Sequence, residues 1–528
     1  MRDFQFPGRS PLRVTEAAAA TSHPLATGVA IDVLKAGGNA IDAAVAAAAV
    51  LAVVEPQSTG IGGDGFMLYA PKGAGKVIAY NGSGRAPRRA TLDWYRAQGF
   101  DSVPTFGVHA VTVPGLVDTW CRIHSDHGRK PLEELLCPAI RYAEQGYVVA
   151  DRVAFDWQAC AGRLAQIPNV DPTLLPNGRA PRAGETHRDP RLADTLRRIA
   201  KQGRDGFYQG PVAEDIVGHL KALGGLHEME DFATAAGEYV EPVSTGYRGV
   251  DVFQMPPNNQ GITALLMLNI LGGFDLSGLD PLGAERLHLE IEAGRLAYRD
   301  RNALIADPKH AKEVTRELLD PAYAAKLRGR IDRDRAATDL PPPLLQPSDT
   351  VYLCVVDRDR NAVSLINSTY YSFGSGVVAP KSGVILQNRG SSFRLDPKHP
   401  NCIAPGKRPM HTIMPGMAME GGRALMPFGV MGGDYQPFGH VHLLTNILDF
   451  GMDPQAALDC PRVFHDAGFA EVERGIPAGT VLGLQARGHA TLVPSEPLGG
   501  GQAIRIDWQS GTLTAGSDPR KDGCALGY

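Results

Sequence analysis

Thr350 stands between a proline-rich stretch and an apolar run, and that placement could turn its hydroxyl into a nucleophile. A threonine hydroxyl attacks poorly without a base. If the chain is cut between Asp349 and Thr350, a free α-amine appears beside that hydroxyl, held there by covalent geometry. The reference pKa of an α-amine is about 7.7–8.0, whereas a lysine sits near about 10.4. One residue would then carry both nucleophile and base. The plainer reading is a β-branched residue opening a strand, and spacing alone favours that reading.

Gly432-Gly433 is the second candidate. The pair follows Met426-Pro427-Phe428-Gly429-Val430-Met431, which reads as a buried strand. Adjacent glycines after a strand can turn two backbone N–H groups toward one point, as an oxyanion requires. A simple turn would need the same residues.

Other chemistries find less support. Gly60-Ile61-Gly62-Gly63-Asp64-Gly65 matches G-x-G-x-x-G, but a helix precedes it and a strand-like run follows. The dinucleotide motif needs the reverse order, so a tight structural loop is expected. There is no G-x-S-x-G elbow and no H-E-x-x-H. His411 and His440 lie far from any second ligand at metal-like spacing and read as polar or packing residues.

The elements that must hold Thr350 are legible around it. Val351-Tyr352-Leu353-Cys354-Val355-Val356 reads as a buried strand, Asp357 to Asn361 as a turn, and Ala362 to Asn367 as a second strand. Thr350 then leads a β-hairpin. Before it, Arg328 to Asp349 reads as an extended linker, with Pro341-Pro342-Pro343 and Gln346-Pro347-Ser348. Residues 15–55 look helical, punctuated by Gly37-Gly38-Asn39 and closed by Glu55-Pro56. Phe66-Met67-Leu68-Tyr69 is strand-like. Further helices are expected at 131–145, 190–201, 212–223 and 283–302.

Bulk properties narrow the partners. The chain has 528 residues and a formal net charge of −4, which calls for neither nucleic acid nor an anionic membrane. Its longest apolar run, Ala40 to Val54, carries Asp42 and is too short to span a bilayer. Seven cysteines without a C-x-x-C pair argue for a reducing, cytoplasmic setting. The first residues hold no apolar core of a signal peptide.

Taken together, the motifs resemble the γ-glutamyltranspeptidase family over most of the chain. Gly37 to Ala44, Glu55 to Gly63 and Val113-Pro114-Gly115 are similar to its N-terminal signatures. Asp349-Thr350-Val351-Tyr352, Val355-Val356-Asp357 and Asn361-Ala362-Val363 are similar to its processing site and first hairpin. Phe373 to Gly376, Pro405 to Pro409 and Gly432-Gly433 follow in the family's order. The resemblance implies an α/β fold, a four-layer αββα sandwich of the N-terminal nucleophile hydrolase type. It implies self-cleavage into 1–349 and 350–528, interwoven in one fold as a heterodimer that could dimerise further. Thr350 would be the nucleophile, Gly432 and Gly433 the oxyanion glycines, and Ser368 a hydroxyl supporting Thr350; no metal or organic cofactor is implied.

The departures from the family pattern concern the substrate. Tyr370 stands where transpeptidases use an asparagine. Arg389 and Ser392 stand where they use a glutamine and an aspartate to hold an ammonium. His411 and Thr412 align with two serines that hold a carboxylate. The family's carboxylate-binding arginine falls near Leu92, with Arg85, Arg88 or Arg89 close enough in sequence to replace it. The segment from Phe393 to Lys407 is also shorter than in lid-bearing members. A cation has arrived where an ammonium would sit, so a small anionic amide is expected. This pattern resembles the oxamate amidohydrolase branch. The alternatives are a γ-glutamyl hydrolase or transferase, a β-lactam side-chain acylase, or, in another class, an uncleaved and inactive binding protein.

Overall fold

The computed structural model describes residues 8–340 and 349–528. The prolines of the linker and the first seven residues lie outside the described residues.

Two seven-stranded, largely antiparallel sheets lie face to face. One contains Asp349–Val356 and Ala362–Tyr370 at its centre, flanked by Ala18–Thr21 and Asp64–Ala70. The other is centred on Gly416–Glu420, Arg423–Met431 and Gly500–Ile506. Strand alternation explains the layering. Tyr352, Cys354 and Val356 point between the sheets, where they meet Met417, Met431 and Ile504. Val351, Leu353 and Val355 point the other way, onto a helical layer that includes Ala40–Val54. The second sheet carries its own helical layer, built from Gly261–Leu271, Ala284–Leu304 and Gln436–Leu448. The result is the four-layer αββα sandwich expected from the sequence. Both sheets mix strands from before and after Asp349, so the two parts of the chain are interwoven.

Ala40–Val54 is a helix with every residue buried. Asn39 caps it: its side chain accepts from the Asp42 N–H, and the Asp42 carboxylate accepts from the Asn39 N–H. The expected helices at 131–145, 190–201, 212–223 and 283–302 form as Leu132–Gln145, Pro190–Gln202, Gly210–Ala222 and Ala284–Leu304. Residues 15–22 depart from the helix expected there. Ala18–Thr21 is a strand, paired on one side with Leu353–Val356 and on the other with Cys524–Gly527. Alanine is a strong helix former, but intrinsic propensity is small per residue, and ladder bonds on both edges override it. No helix among the described residues is long and apolar enough to cross a membrane.

Candidate active site

Thr350 opens the central hairpin at an irregular step. The ladder pairs Asp349 with Tyr370 but Val351 with Asn367, so the partner strand carries an extra residue beside Thr350. Such a bulge re-aims side chains at a strand end. Thr350 is buried, and its hydroxyl donates across 3.4 Å to Ser368 Oγ. Ser368 Oγ in turn accepts from the Tyr370 N–H at 2.8 Å. The glycine-rich loop runs directly behind. A Cβ on Gly63 would fall 2.3 Å from the Ser368 carbonyl oxygen, and one on Gly62 would fall 2.2 Å from that of Ile385. The loop is glycine because backbone meets backbone there, with a helix before it and a strand after it.

Across the sandwich, Arg423–Met431 packs on the strand that Thr350 opens. A Cβ on Gly429 would lie 2.4 Å from the Tyr352 ring. The strand ends in Gly432 and Gly433, with φ of +112° and +57°. Both angles lie where side chains are strained, so this turn requires glycine. Gln260, which the sequence reading did not single out, ties the turn to the rest of the site. Its amide donates to the carbonyls of Gly433 (3.0 Å) and Thr412 (2.6 Å). Its Oε1 accepts from Arg301, which also pairs with Asp434.

Arg389 is completely buried and forms no ion pair among the described residues. Its Nη1 donates to Thr412 Oγ1 at 2.9 Å, and its face lies 3.6 Å from the centroid of the Tyr370 ring. Nε and Nη2 have no hydrogen-bond partner. Burial lowers its pKa to about 10, still well above neutral pH.

Asp64 is the second residue that sequence reasoning missed. Its Oδ1 accepts from the N–H groups of Gly84 and Gly115 and from Gln387 Nε2, and its Oδ2 faces His411 Nε2 at 3.1 Å. Burial raises its pKa to about 6, against the opposing pull of Gln387 and Arg389. Burial also drives the His411 pKa well below its usual value, helped by Arg389 and Arg408. The His411–Asp64 contact is therefore a hydrogen bond from a neutral imidazole rather than an ion pair at neutral pH. His411 Nδ1 accepts from the Ile413 N–H, which leaves the proton on Nε2. A lone carboxylate within a glycine run was the available signal for Asp64.

Other expected residues are placed elsewhere. Ser392 donates to the Met410 carbonyl at 2.9 Å and secures a loop. Arg85 pairs with Glu238 and Asp307, Arg88 with Glu230 and Asp231, and Arg89 with Glu228. All three are engaged by acids. His440 is buried against Gln254, as a packing histidine would be. One group of metal-ligand type exists among the described residues: His288, Glu292 and His489. Its atoms are already committed. His288 Nδ1 meets His489 Nε2 at 2.7 Å, and Glu292 accepts from Arg295 and from the Ala337 N–H. Arg295 and Arg487 add positive charge beside His489, which opposes a cation.

Comparison with known proteins agrees with this fold. The gamma-glutamyltranspeptidase family model matches residues 26–528. A glutathione hydrolase-like YwrD proenzyme of Bacillus subtilis is 40% identical, over 96% of this chain and 97% of its own length. An oxamate amidohydrolase proenzyme of Klebsiella pneumoniae is 36% identical, over 97% of this chain and 99% of its own. The crystal structure of a cephalosporin acylase from Bacillus halodurans superposes with a TM-score of 0.93 at 41% identity, covering 100% of this chain and 99% of that one. With the family signature spanning nearly the whole chain and the fold matching, this protein belongs to the gamma-glutamyltranspeptidase family.

Proposed function

We propose that the chain cleaves itself before Thr350 and that the product hydrolyses a small amide whose acyl part bears a carboxylate, oxamate first. The observation that carries the substrate class is the free edge of Arg389. Nη1 is taken by Thr412 and one face by Tyr370, but Nε and Nη2 are unpartnered. Those two nitrogens form the fork that grips a carboxylate by two parallel hydrogen bonds. A buried guanidinium without an acid partner is otherwise unfavourable. In oxamate the carboxylate is bonded to the reacting carbonyl carbon, so gripping one aims the other.

In the proposed cycle the Thr350 amine takes the hydroxyl proton as Oγ attacks the amide carbon. The N–H groups of Gly432 and Gly433 hold the oxyanion, and Ser368 Oγ keeps the threonine hydroxyl in place. The amine passes its proton to the departing nitrogen, the C–N bond breaks, and ammonia leaves. Water then attacks the ester, with the amine again as base, and releases oxalate and the free hydroxyl.

A second reading has one observation in its favour. A cleft of about 420 Å³ adjoins Gly432, lined by Phe106, Arg163, Tyr371 and Tyr435 among others. Ammonia needs no such room, whereas the amine of a γ-glutamyl peptide or a β-lactam side-chain amide would use it. The deciding experiment compares kcat/KM for oxamate, a γ-glutamyl anilide and an acyl-β-lactam on the purified, processed protein. Preference for the γ-glutamyl compound would overturn the small-anion reading. A chain that stays intact and inert toward all three would leave a binding protein.

A further inference from the structure

The ground around His489 that repels a cation is suited to the opposite charge. A cavity of about 630 Å³ opens between the helix Ala284–Leu304, residues 334–340 and the segments carrying His465 and His489. Arg295, Arg335 and Arg487 line it, against a single acid, Asp334. Neither Arg335 nor Arg487 forms an ion pair among the described residues. Arg487 spends Nε and Nη1 on the carbonyls of Arg333 and Gly483, which fixes the guanidinium without neutralising it. Arg295 is paired with Glu292, yet its Nε is buried without a partner. His465 Nδ1 is likewise buried and unpartnered. A buried donor without a partner is costly, and an oxyanion in the cavity would satisfy both.

We propose that this cavity binds a small, multiply charged oxyanion of the phosphate class, held by Arg335 and Arg487 with Arg295 Nε and His465 Nδ1 as further donors. The positive potential there has an independent signature. Burial first, then His288, His465, Arg295 and Arg487, lower the His489 pKa to about 3. Arg295 and Arg335 precede the Asp349–Thr350 bond, whereas His465, Arg487 and His489 follow it. An anion seated here would therefore bridge the two parts of the chain and hold them together if that bond is cut. The site does not depend on the proposed amidase activity, because none of its residues touches Thr350 or Arg389.

Inorganic phosphate is the first probe, and glycerol 2-phosphate the second, titrated into the purified protein at constant ionic strength with chloride as balance. The expected result is saturable binding by calorimetry together with a saturating rise in Tm that chloride does not reproduce. Binding to glycerol 2-phosphate as well points to an organic phosphate as occupant, and binding to phosphate alone to the free ion. Arg335→Gln, at an exposed position that folding does not need, should weaken binding about tenfold, the equivalent of one charged hydrogen bond. Arg335→Gln with Arg487→Gln should abolish it. Arg389→Met must leave it intact, which separates this cavity from the site around Thr350. Absence of saturable binding at millimolar phosphate, or equal binding by the double variant, overturns the proposal.

Discussion

The ring of Tyr370 covers one face of the Arg389 guanidinium, 3.6 Å from centroid to Cζ, while Nε and Nη2 are left without a hydrogen-bond partner. Tyr370 holds this position with φ at +84°, a region that costs a non-glycine residue about 1–3 kcal/mol unless its surroundings enforce it. Its N–H is anchored on Ser368 Oγ, the same oxygen that meets Thr350. The ring that covers Arg389 and the hydroxyl that meets Thr350 thus lie two residues apart on one strand, Ala362–Tyr370.

Arg389→Met should leave self-cleavage intact and raise the KM for oxamate about tenfold to a hundredfold, since a buried charged hydrogen bond contributes about 1.5–3 kcal/mol. Fragment pattern and steady-state kinetics on one preparation check both halves. Unchanged KM would remove Arg389 from the substrate.

Tyr370→Phe should behave nearly as the unmodified protein, because the ring and its face over the guanidinium remain. Tyr370→Ala should raise KM several-fold through lost stacking, worth about 0.5–2 kcal/mol. Equal KM values for the two variants would show that the ring does not present Arg389.

Thr350→Ala should run as a single uncut chain, because no hydroxyl remains to attack the Asp349 carbonyl. Thr350→Ser should still cut. Cleavage of the alanine variant at this bond, without added protease, contradicts the assignment of Thr350.

Gly433→Ala should lower kcat by about 10²–10³-fold, the typical loss of one oxyanion donor. Gly432→Ala meets an added obstacle: its Cβ would lie 3.0 Å from Gly499 Cα at a φ of +112°. Loss of turnover without loss of Tm in the Gly433 variant would mark the catalytic effect. Full activity would move the oxyanion role elsewhere.

Asp64 makes a pH prediction. Burial raises its pKa to about 6 in the fold, above the ordinary carboxylate value of 3.8. Between those values the folded state binds the extra proton, so this group's stabilising contribution is present at low pH and is lost as pH rises through about 6. Asp64→Asn keeps the acceptor for Gly84, Gly115 and Gln387 but cannot titrate. The difference in unfolding free energy between wild type and Asp64→Asn should therefore change steadily between pH 4 and 6, in the sense that wild type loses ground as pH rises. A flat difference across that window would place the Asp64 pKa at its ordinary value.

The sequence alone determined the parts whose cause is local. The hairpin after Thr350, the strand ending at Gly432-Gly433 and the capped helix after Asn39 follow from alternation, turn residues and a capping pair within a few positions of one another. Motif order carried the family and the four-layer fold, and Arg389 stood out because its charge is wrong for an ammonium site. The tertiary structure decided what depends on contacts between distant residues. Ala18–Thr21 became a strand because two partners met its edges. Asp64 and His411, 347 positions apart, became a buried pair, and Gln260 joined Thr412 to Gly433. Arg85, Arg88 and Arg89 were drawn to acids elsewhere, and Ser392 to a carbonyl. Charge and residue type are properties of the chain. Burial, and the choice of which partner satisfies a buried polar group, exist only once the layers have packed.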